Sequence, residues 1–239
     1  MRIGLIGYGK MGKEIEIVAR EREHDIVWIA TKSNWHELSD DKLKEADVII
    51  EFTSPDSVVD NIRRCFHIQR PVVCGTTGWA AKLEEVKQQC INESKTLLTG
   101  SNFSTGVHLF FALNRYAARL LNDFPEYQVR ISETHHTQKK DAPSGTAIHL
   151  ANEIIPFLHS KSEWQAGDQV KPYQLQISSQ RIEHVPGTHL VSYSSAIDNI
   201  ELQHIAHNRK GFAVGALRAA EWLFGRTGYF TIEDVFRFE

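Results

Sequence analysis

The sequence predicts an α/β chain: a parallel sheet with helices on both faces, then a second, α+β unit with a mostly antiparallel or mixed four-stranded sheet. Three observations carry this reading. Short apolar runs alternate with helical periodicity over residues 2–93. A glycine-spaced turn follows the first of those runs. After residue 102 the pattern changes to a long amphipathic helix and then to period-two alternation.

Residues 2–6 form a short apolar run that ends at Gly7, Gly9 and Gly12. A helix over 13–22 follows, with Ile15, Val18, Ala19 and Arg22 at helical spacing and charge on the other face. Residues 26–30 read as a second strand, and 47–52 and 71–74 as two further buried strands, each ending at a polar or glycine loop. Helices fit 57–67 and 80–93. Alternating strand and helix gives a parallel sheet covered on both faces. Residues 107–123 then form a long amphipathic helix, 127–134 a half-buried strand and 147–158 another helix. Three alternating strands, 173–181, 189–195 and 200–206, are joined by turns at Pro186-Gly187 and Asp198-Asn199. The helix at 214–224 has an apolar face with no partner left in the second unit, so it returns to the first. The expected domains are 1–102 completed by 209–239, and 103–208. Only one face of the second sheet has obvious helix cover. Its other face is expected to present Leu175, Ile177, Val191 and Tyr193, which predicts self-association through this domain, as a homotetramer.

Bulk numbers narrow the function. At 239 residues there is room for one large domain or two modest ones. A net charge of −3 gives no reason to expect nucleic acid or a membrane surface as partner. No apolar run is long enough to span a bilayer, and Met1-Arg2 leads straight into the first strand without a signal-peptide pattern. Cys65, Cys74 and Cys90 are odd in number and not at metal spacing, so they read as buried reduced thiols and the cytoplasm as the compartment.

Gly7-x-Gly9-x-x-Gly12, holding Tyr8, Lys10 and Met11, lies between a strand and a helix. In that context small residues admit a pyrophosphate to the backbone, and the helix N-terminus favours its charge. The alternative is a tight turn without a ligand. At the end of the second strand an acid selects NAD and a base accommodates the extra phosphate of NADP. The chain has Ala30-Thr31-Lys32-Ser33-Asn34 there, so Lys32 is either a phosphate contact or a solvated lysine. Gly75-Thr76-Thr77-Gly78 sits at the carboxyl end of a strand, where open parallel sheets bind ligands, although it also serves as a plain turn.

Residues 133–147 are the richest stretch. His135, His136 and Lys139 fall within five positions, and Pro143-Ser144-Gly145 then leads into a helix start. Imidazole and ammonium groups move protons near neutral pH, and a helix start offers free N–H groups to an anion. One loop can thus hold a carboxylate and protonate the molecule that carries it. Metal ligation is the competing reading, but adjacent side chains diverge and no further ligand completes a set, so no metal is expected. Purely structural histidines are the other alternative.

His135-His136-x-x-Lys139-x-Asp141-Ala142-Pro143-Ser144-Gly145-Thr146-Ala147 resembles the signature of the dihydrodipicolinate reductase, or 4-hydroxy-tetrahydrodipicolinate reductase, family. Gly7–Gly12, Gly75–Gly78, 102–107, and Arg209 with Phe212-Ala213 and Gly215-Ala216 fall where that family places its own motifs, and the similarity runs from residue 2 to about 236. The resemblance implies a Rossmann-type domain that binds NADPH and/or NADH, and a cyclic dicarboxylate substrate of lysine and diaminopimelate biosynthesis. Hydride would add to a conjugated ring carbon and a proton to its neighbour. His135 and Lys139 would be the acid/base pair, with His136, Gly145 and Thr146 on the substrate. Arg209 would reach a carboxylate or steady the domain interface. Gly75, Thr76, Thr77, Ser101, Asn102, Phe103 and Ser104 would line the nicotinamide half of the cofactor. The chain departs from the family in a glycine loop one residue shorter and a short 31–46 segment near the adenosine pocket. A different two-domain dehydrogenase would explain the first domain but not the 135–147 loop. A dinucleotide-binding sensor without turnover predicts loss of the proton-handling residues, which are intact.

Overall fold

Short strands with no polar face are satisfied only inside a sheet covered on both sides, and the first part of the chain is built that way. The structure is a computed structural model that describes residues 1–238. It divides into two units, 1–105 with 209–237, and 106–208.

In the first unit, β1 (Arg2–Ile6), β2 (Asp25–Ala30), β3 (Val48–Glu51), β4 (Val72–Cys74), β5 (Thr96–Thr99) and β11 (Gly228–Thr231) form a six-stranded sheet in the order β11-β5-β4-β3-β1-β2. Every pairing in it is parallel. On one face, α1 (Lys10–Glu21) and α7 (Lys210–Leu223) bury Ile15, Val18, Ala216, Leu217 and Ala220 against Ile3, Leu5 and Ile50. The other face is covered by α3 (Val58–His67) and α4 (Ala80–Asn92), which place Ile62, Phe66, Val86 and Cys90 over Ile49, Val72 and Leu97. Short helices α2 (Asp40–Leu43) and α8 (Ile232–Val235) complete the unit. The run of small residues in α7 lets it approach closely: a Cβ on Gly215 would lie 1.6 Å from the carbonyl oxygen of Phe103.

Strands β5 and β11 escape the sequence reading. Each is four residues long, too short to show a period, and each becomes a strand by pairing with its neighbour.

The second unit carries five strands, correcting the expected four: β6 (Gln128–His135), β7 (Glu163–Ala166), β8 (Gln174–Arg181), β9 (Thr188–Ser194) and β10 (Asn199–Ile205), in the order β10-β9-β6-β8-β7. The missed strand, β7, is a short edge strand of Glu-Trp-Gln-Ala with only Trp164 turned inward. The sheet is mixed: β6–β8 and β7–β8 are parallel, while β6–β9 and β9–β10 are antiparallel. Helices α5 (Thr105–Leu121) and α6 (Gly145–Ile154) pack on it. Val107, Phe110, Phe111, Leu150 and Ile154 meet Val129, Ile131, Leu175, Ile177, Val191 and Tyr193 in one core.

That packing overturns one expectation. Leu175, Ile177, Val191 and Tyr193 are at most 1% exposed, on the helix side, and are not an open face. Alternation tells which residues share a face of a strand, but not which face the helices choose. The open apolar surface lies on α5 instead, where Leu109, Leu113, Tyr116 and Leu120 form a seam with Phe124 just beyond it, each between 44% and 62% exposed. Among the described residues no helix is long and apolar enough to cross a membrane.

Candidate active site

The glycine turn of the first unit takes its shape from steric necessity. Gly7 has φ +95°, and a Cβ there would meet the Phe52 carbonyl oxygen at 2.0 Å. Gly12 is pinned equally, its Cβ position falling 2.2 Å from the Gly7 carbonyl oxygen. Gly9, the N-cap of α1, differs: nothing lies within 4 Å of its Cβ position. Two glycines therefore close the turn while the third leaves open space before the helix N-terminus, which fits a pyrophosphate. Tyr8 turns its hydroxyl to Glu16, Lys10 is exposed, and Met11 packs against the core. Beyond β2, Asn34 folds the loop by accepting from the Thr31 N–H at 2.6 Å, and Lys32 is exposed next to it.

Along the carboxyl ends of β4, β5 and β11, Thr76, Thr77, Trp79, Ser101, Tyr229 and Thr231 line a cleft of about 310 Å³. The Thr76 hydroxyl is already engaged: it donates to the fully buried Glu51 at 2.7 Å and accepts from the Thr53 N–H at 2.7 Å. Phe103 is 2% exposed, its ring 5.6 Å from that of Phe52, so its side chain belongs to the core. Asn102 accepts from the Ser104 N–H at 2.9 Å, shaping the turn, and Gly75 is pressed against the Phe52 ring. Glu51, Tyr229 and Thr231 were missed by the sequence reading, the last two because β11 was.

In the second unit, strand β6 decides the geometry. Its buried positions are Val129, Ile131, Glu133 and His135, so an apolar face ends in a carboxylate and an imidazole. Pairing places His189 of β9 beside Glu133, and Arg181 of β8 beside His135. One Glu133 oxygen, Oε1, accepts from the Ser144 N–H at 3.0 Å and from Arg181 at 3.3 Å. The other, Oε2, lies 3.2 Å from His135 Nδ1 and 3.8 Å from His189 Nε2. Burial alone would raise the Glu133 pKa; donors from His135 and Ser144 outweigh it and hold the carboxyl well below the usual range. Burial, reinforced by the neighbouring His135, pushes His189 down to about 4, so it is neutral near pH 7. Its ring meets that of His135 edge-on at 5.1 Å.

The loop after β6 is tied to this cluster. Arg181 donates to the carbonyl oxygens of Lys139, at 3.3 Å, and of Asp141. Lys139 N–H donates to the His136 carbonyl oxygen at 3.1 Å. The Lys139 ammonium pairs with Asp141 at 2.8 Å, which keeps that carboxyl below its ordinary value. Ser144 caps α6, its hydroxyl accepting from the Ala147 N–H at 3.2 Å. Gly145 opens the helix, exposed and with no atom near its Cβ position, and Thr146 follows. His136 follows the end of β6 and is half-buried. His135, Lys139, Gly145 and Thr146 thus lie on one segment of the second unit, from the end of β6 to the first turn of α6, while Arg209 belongs to the first unit as the N-cap of α7.

Sequence reasoning missed Arg181, Ser144 and His189 as parts of the site. The available signal was Glu133 two positions before His135, which puts both on one strand face. Donor atoms of Glu133, His135 and His189 lie within 4.8 Å of one another. The guanidinium on the same carboxylate opposes a cation there, and strand pairing with ion-pair contacts accounts for the convergence.

A parallel dinucleotide-type sheet with a glycine cradle, and a mixed-sheet unit whose 135–147 segment carries imidazoles and an ammonium, define a two-domain nicotinamide-dependent oxidoreductase. Comparison with known proteins specifies it further. Residues 1–103 match the model for the dihydrodipicolinate reductase N-terminus, and 106–236 that for its C-terminus. A 4-hydroxy-tetrahydrodipicolinate reductase of Christiangramia forsetii is 43% identical over 236 residues, covering 98% of this chain and 97% of that protein. One of Methanosarcina barkeri is 35% identical over 198 residues, 81% of this chain and 74% of that one. Among solved structures, the dipicolinate-bound dihydrodipicolinate reductase from Paenisporosarcina sp. TG-14 shares the fold with a TM-score of 0.78 at 22% identity, covering 97% of both chains. An engineered D-amino acid dehydrogenase bound to NADP+ has a TM-score of 0.56 at 14% identity, covering 100% of this chain and 96% of that one. The chain belongs to the dihydrodipicolinate reductase family.

Proposed function

We propose that this protein reduces 4-hydroxy-tetrahydrodipicolinate to tetrahydrodipicolinate with NAD(P)H, in lysine and diaminopimelate biosynthesis. Overall the substrate loses its hydroxyl as water and gains a hydride and a proton. The observation that carries the reading is the 133–147 segment, where an imidazole and an ammonium precede the N-terminus of α6.

The bound cofactor supplies the hydride. Gly7, Gly9 and Gly12 would hold its pyrophosphate, with Tyr8, Lys10 and Met11 forming the turn, and Lys32 would meet the phosphate of NADPH. Gly75, Thr76, Thr77, Ser101, Asn102, Phe103 and Ser104 would shape the nicotinamide end. Thr76 and Phe103 contribute through their backbone, since their side chains are engaged elsewhere. Gly145 N–H and Thr146 would bind one substrate carboxylate, an anion at a helix start. His136 and Arg209 are the further substrate contacts. His135 and Lys139 would hold and deliver the proton at the carbon next to the one that receives hydride. Lys139 would exchange Asp141 for the substrate.

Self-association through the second domain, as a homotetramer, is supported by the exposed apolar seam of α5. Three buried thiols without disulfides fit the cytoplasm. The decisive assay supplies freshly generated substrate to purified protein with NADH and NADPH side by side. Substrate-dependent cofactor oxidation is expected, and its absence with both cofactors overturns the reading. Lys32→Ala is expected to weaken NADPH more than NADH; equal effects remove Lys32 from the phosphate site.

A further inference from the structure

Two atoms at the end of β6 have no ordinary partner. Glu133 Oε2 and His135 Nδ1 are both buried, and neither has a well-aligned hydrogen bond to any group. They lie 3.2 Å apart, an ion-pair distance, without the alignment of a linear bond. The other carboxylate oxygen is anchored by Ser144 N–H and Arg181, so Glu133 is fixed from two sides with Oε2 left towards the imidazole.

This arrangement dictates a tautomer. If neutral His135 carried its proton on Nε2, two buried lone pairs would face each other with no water between them, which is the most costly state for both atoms. With the proton on Nδ1, one donor serves one acceptor. The side chain at His189 does not compete: its Nε2 is within 3.3 Å of the Ser144 hydroxyl, whose own oxygen already accepts from Ala147 N–H, leaving the hydroxyl proton for His189. On the far side of the His135 ring stands Gly187, whose Cβ position is 3.1 Å from Nε2, so no side chain covers that nitrogen from there.

We infer that Glu133 is a positioning residue for His135: its buried carboxylate holds Nδ1–H and so presents Nε2 as the nitrogen that exchanges the proton with the substrate. The inference rests on the proposed acid/base role of His135. In the forward step the Nε2–H bond of the imidazolium breaks, the substrate's carbon electron pair takes the proton, and a neutral ring remains with its proton on Nδ1. That ring is already in the form that takes the next proton from solvent at Nε2. The charged and titratable groups around His135 are Glu133 on its own strand, Arg181 from β8 and His189 from β9; His204 of β10 and Lys139 of the loop, itself paired with Asp141, act on His189. Of these only Glu133 is a carboxylate in contact with the ring.

The first test is made on the wild-type chain with ¹⁵N-histidine labelling, assigning His135 by loss of its signals in His135→Ala. The neutral His135 ring is expected as the Nδ1–H tautomer; an Nε2–H tautomer overturns the inference. The second test is the isosteric Glu133→Gln against the charge-retaining Glu133→Asp. Glu133→Gln is expected to lower kcat at least about tenfold with an unchanged KM for the cofactor. It should also displace the pH profile of kcat/KM towards acid, while Glu133→Asp leaves the profile in place. A Glu133→Gln profile superimposable on wild type would make the carboxylate purely structural and overturn the inference. Should neither variant fold, the tautomer measurement decides alone. Full turnover in His135→Ala would instead sink the acid/base reading while leaving the tautomer result standing.

Discussion

Gly187→Ala separates the chemistry of His135 from the stability of the fold. The added methyl would sit 3.1 Å from His135 Nε2 and 3.2 Å from Cδ2, inside the 3.4 Å at which ordinary contact begins. Gly187 does not lie in the left-handed region, so alanine brings no backbone strain. Its carbonyl oxygen accepts from Ala206 N–H at 2.8 Å, a bond the methyl does not touch. Losing glycine's freedom in the unfolded chain is worth about 0.4–1 kcal/mol in favour of the variant. Crowding of a ring that can give by a few tenths of an ångström offsets part of this. Net stability should therefore move by less than about 1 kcal/mol, roughly 2–4 °C in Tm for a chain of this size. The rate should not be spared. A misplacement of about 1 Å costs on the order of 10²-fold, so a few tenths, with a methyl beside the nitrogen proposed to carry the proton, should lower kcat about tenfold, or about 1.4 kcal/mol in barrier. Steady-state kinetics with both substrates and a thermal melt read the two effects together. Near-wild-type Tm and cofactor KM with a depressed kcat is the expected pattern. A folded Gly187→Ala enzyme at full kcat would show that Nε2 does not face the reacting molecule.

Lys139→Ala should lose about 10²–10⁴-fold in turnover while cofactor binding, measured by fluorescence titration, stays near wild type; an unchanged rate removes Lys139 from the chemistry. The buried His189, held near 4 against about 6.5 when unfolded, leaves the unfolded chain binding the extra proton between those values. Stability from this group is therefore full above about pH 6.5 and lost as pH falls towards 4, by on the order of 3 kcal/mol. Urea unfolding from pH 7 to pH 4 should show that slope, and His189→Gln should flatten part of it; parallel curves would contradict the assignment. Glu133, whose pKa is held low, adds a loss of the same sign at still lower pH. Light scattering at micromolar concentration should give four times the 27.2 kDa of the chain, and Leu113→Glu on the α5 seam should reduce it. A fully active 27.2 kDa species would refute the tetramer.

The sequence by itself determined what depends on neighbours along the chain. Gly7, Gly9 and Gly12 spell a turn between a strand and a helix, because the backbone has no room for a side chain at Gly7 and Gly12, while Gly9 leaves open space before the helix. Residues 135–147 point to the family, because the paired imidazoles, the ammonium and the helix start sit on one continuous segment. What depends on pairing between distant segments was decided only by the tertiary structure. Arg181 stands 48 positions from Glu133, and His189 is 45 from Ser144, yet strand register and the N-cap of α6 bring all four together. Strands β5, β7 and β11, four residues each, have no period of their own and exist through their partners. The helix-covered face of the second sheet was misassigned because alternation is symmetric under exchange of faces. Which face is buried is settled when α5 and α6 lay their apolar sides on Ile131, Ile177 and Val191, and no local pattern encodes that choice.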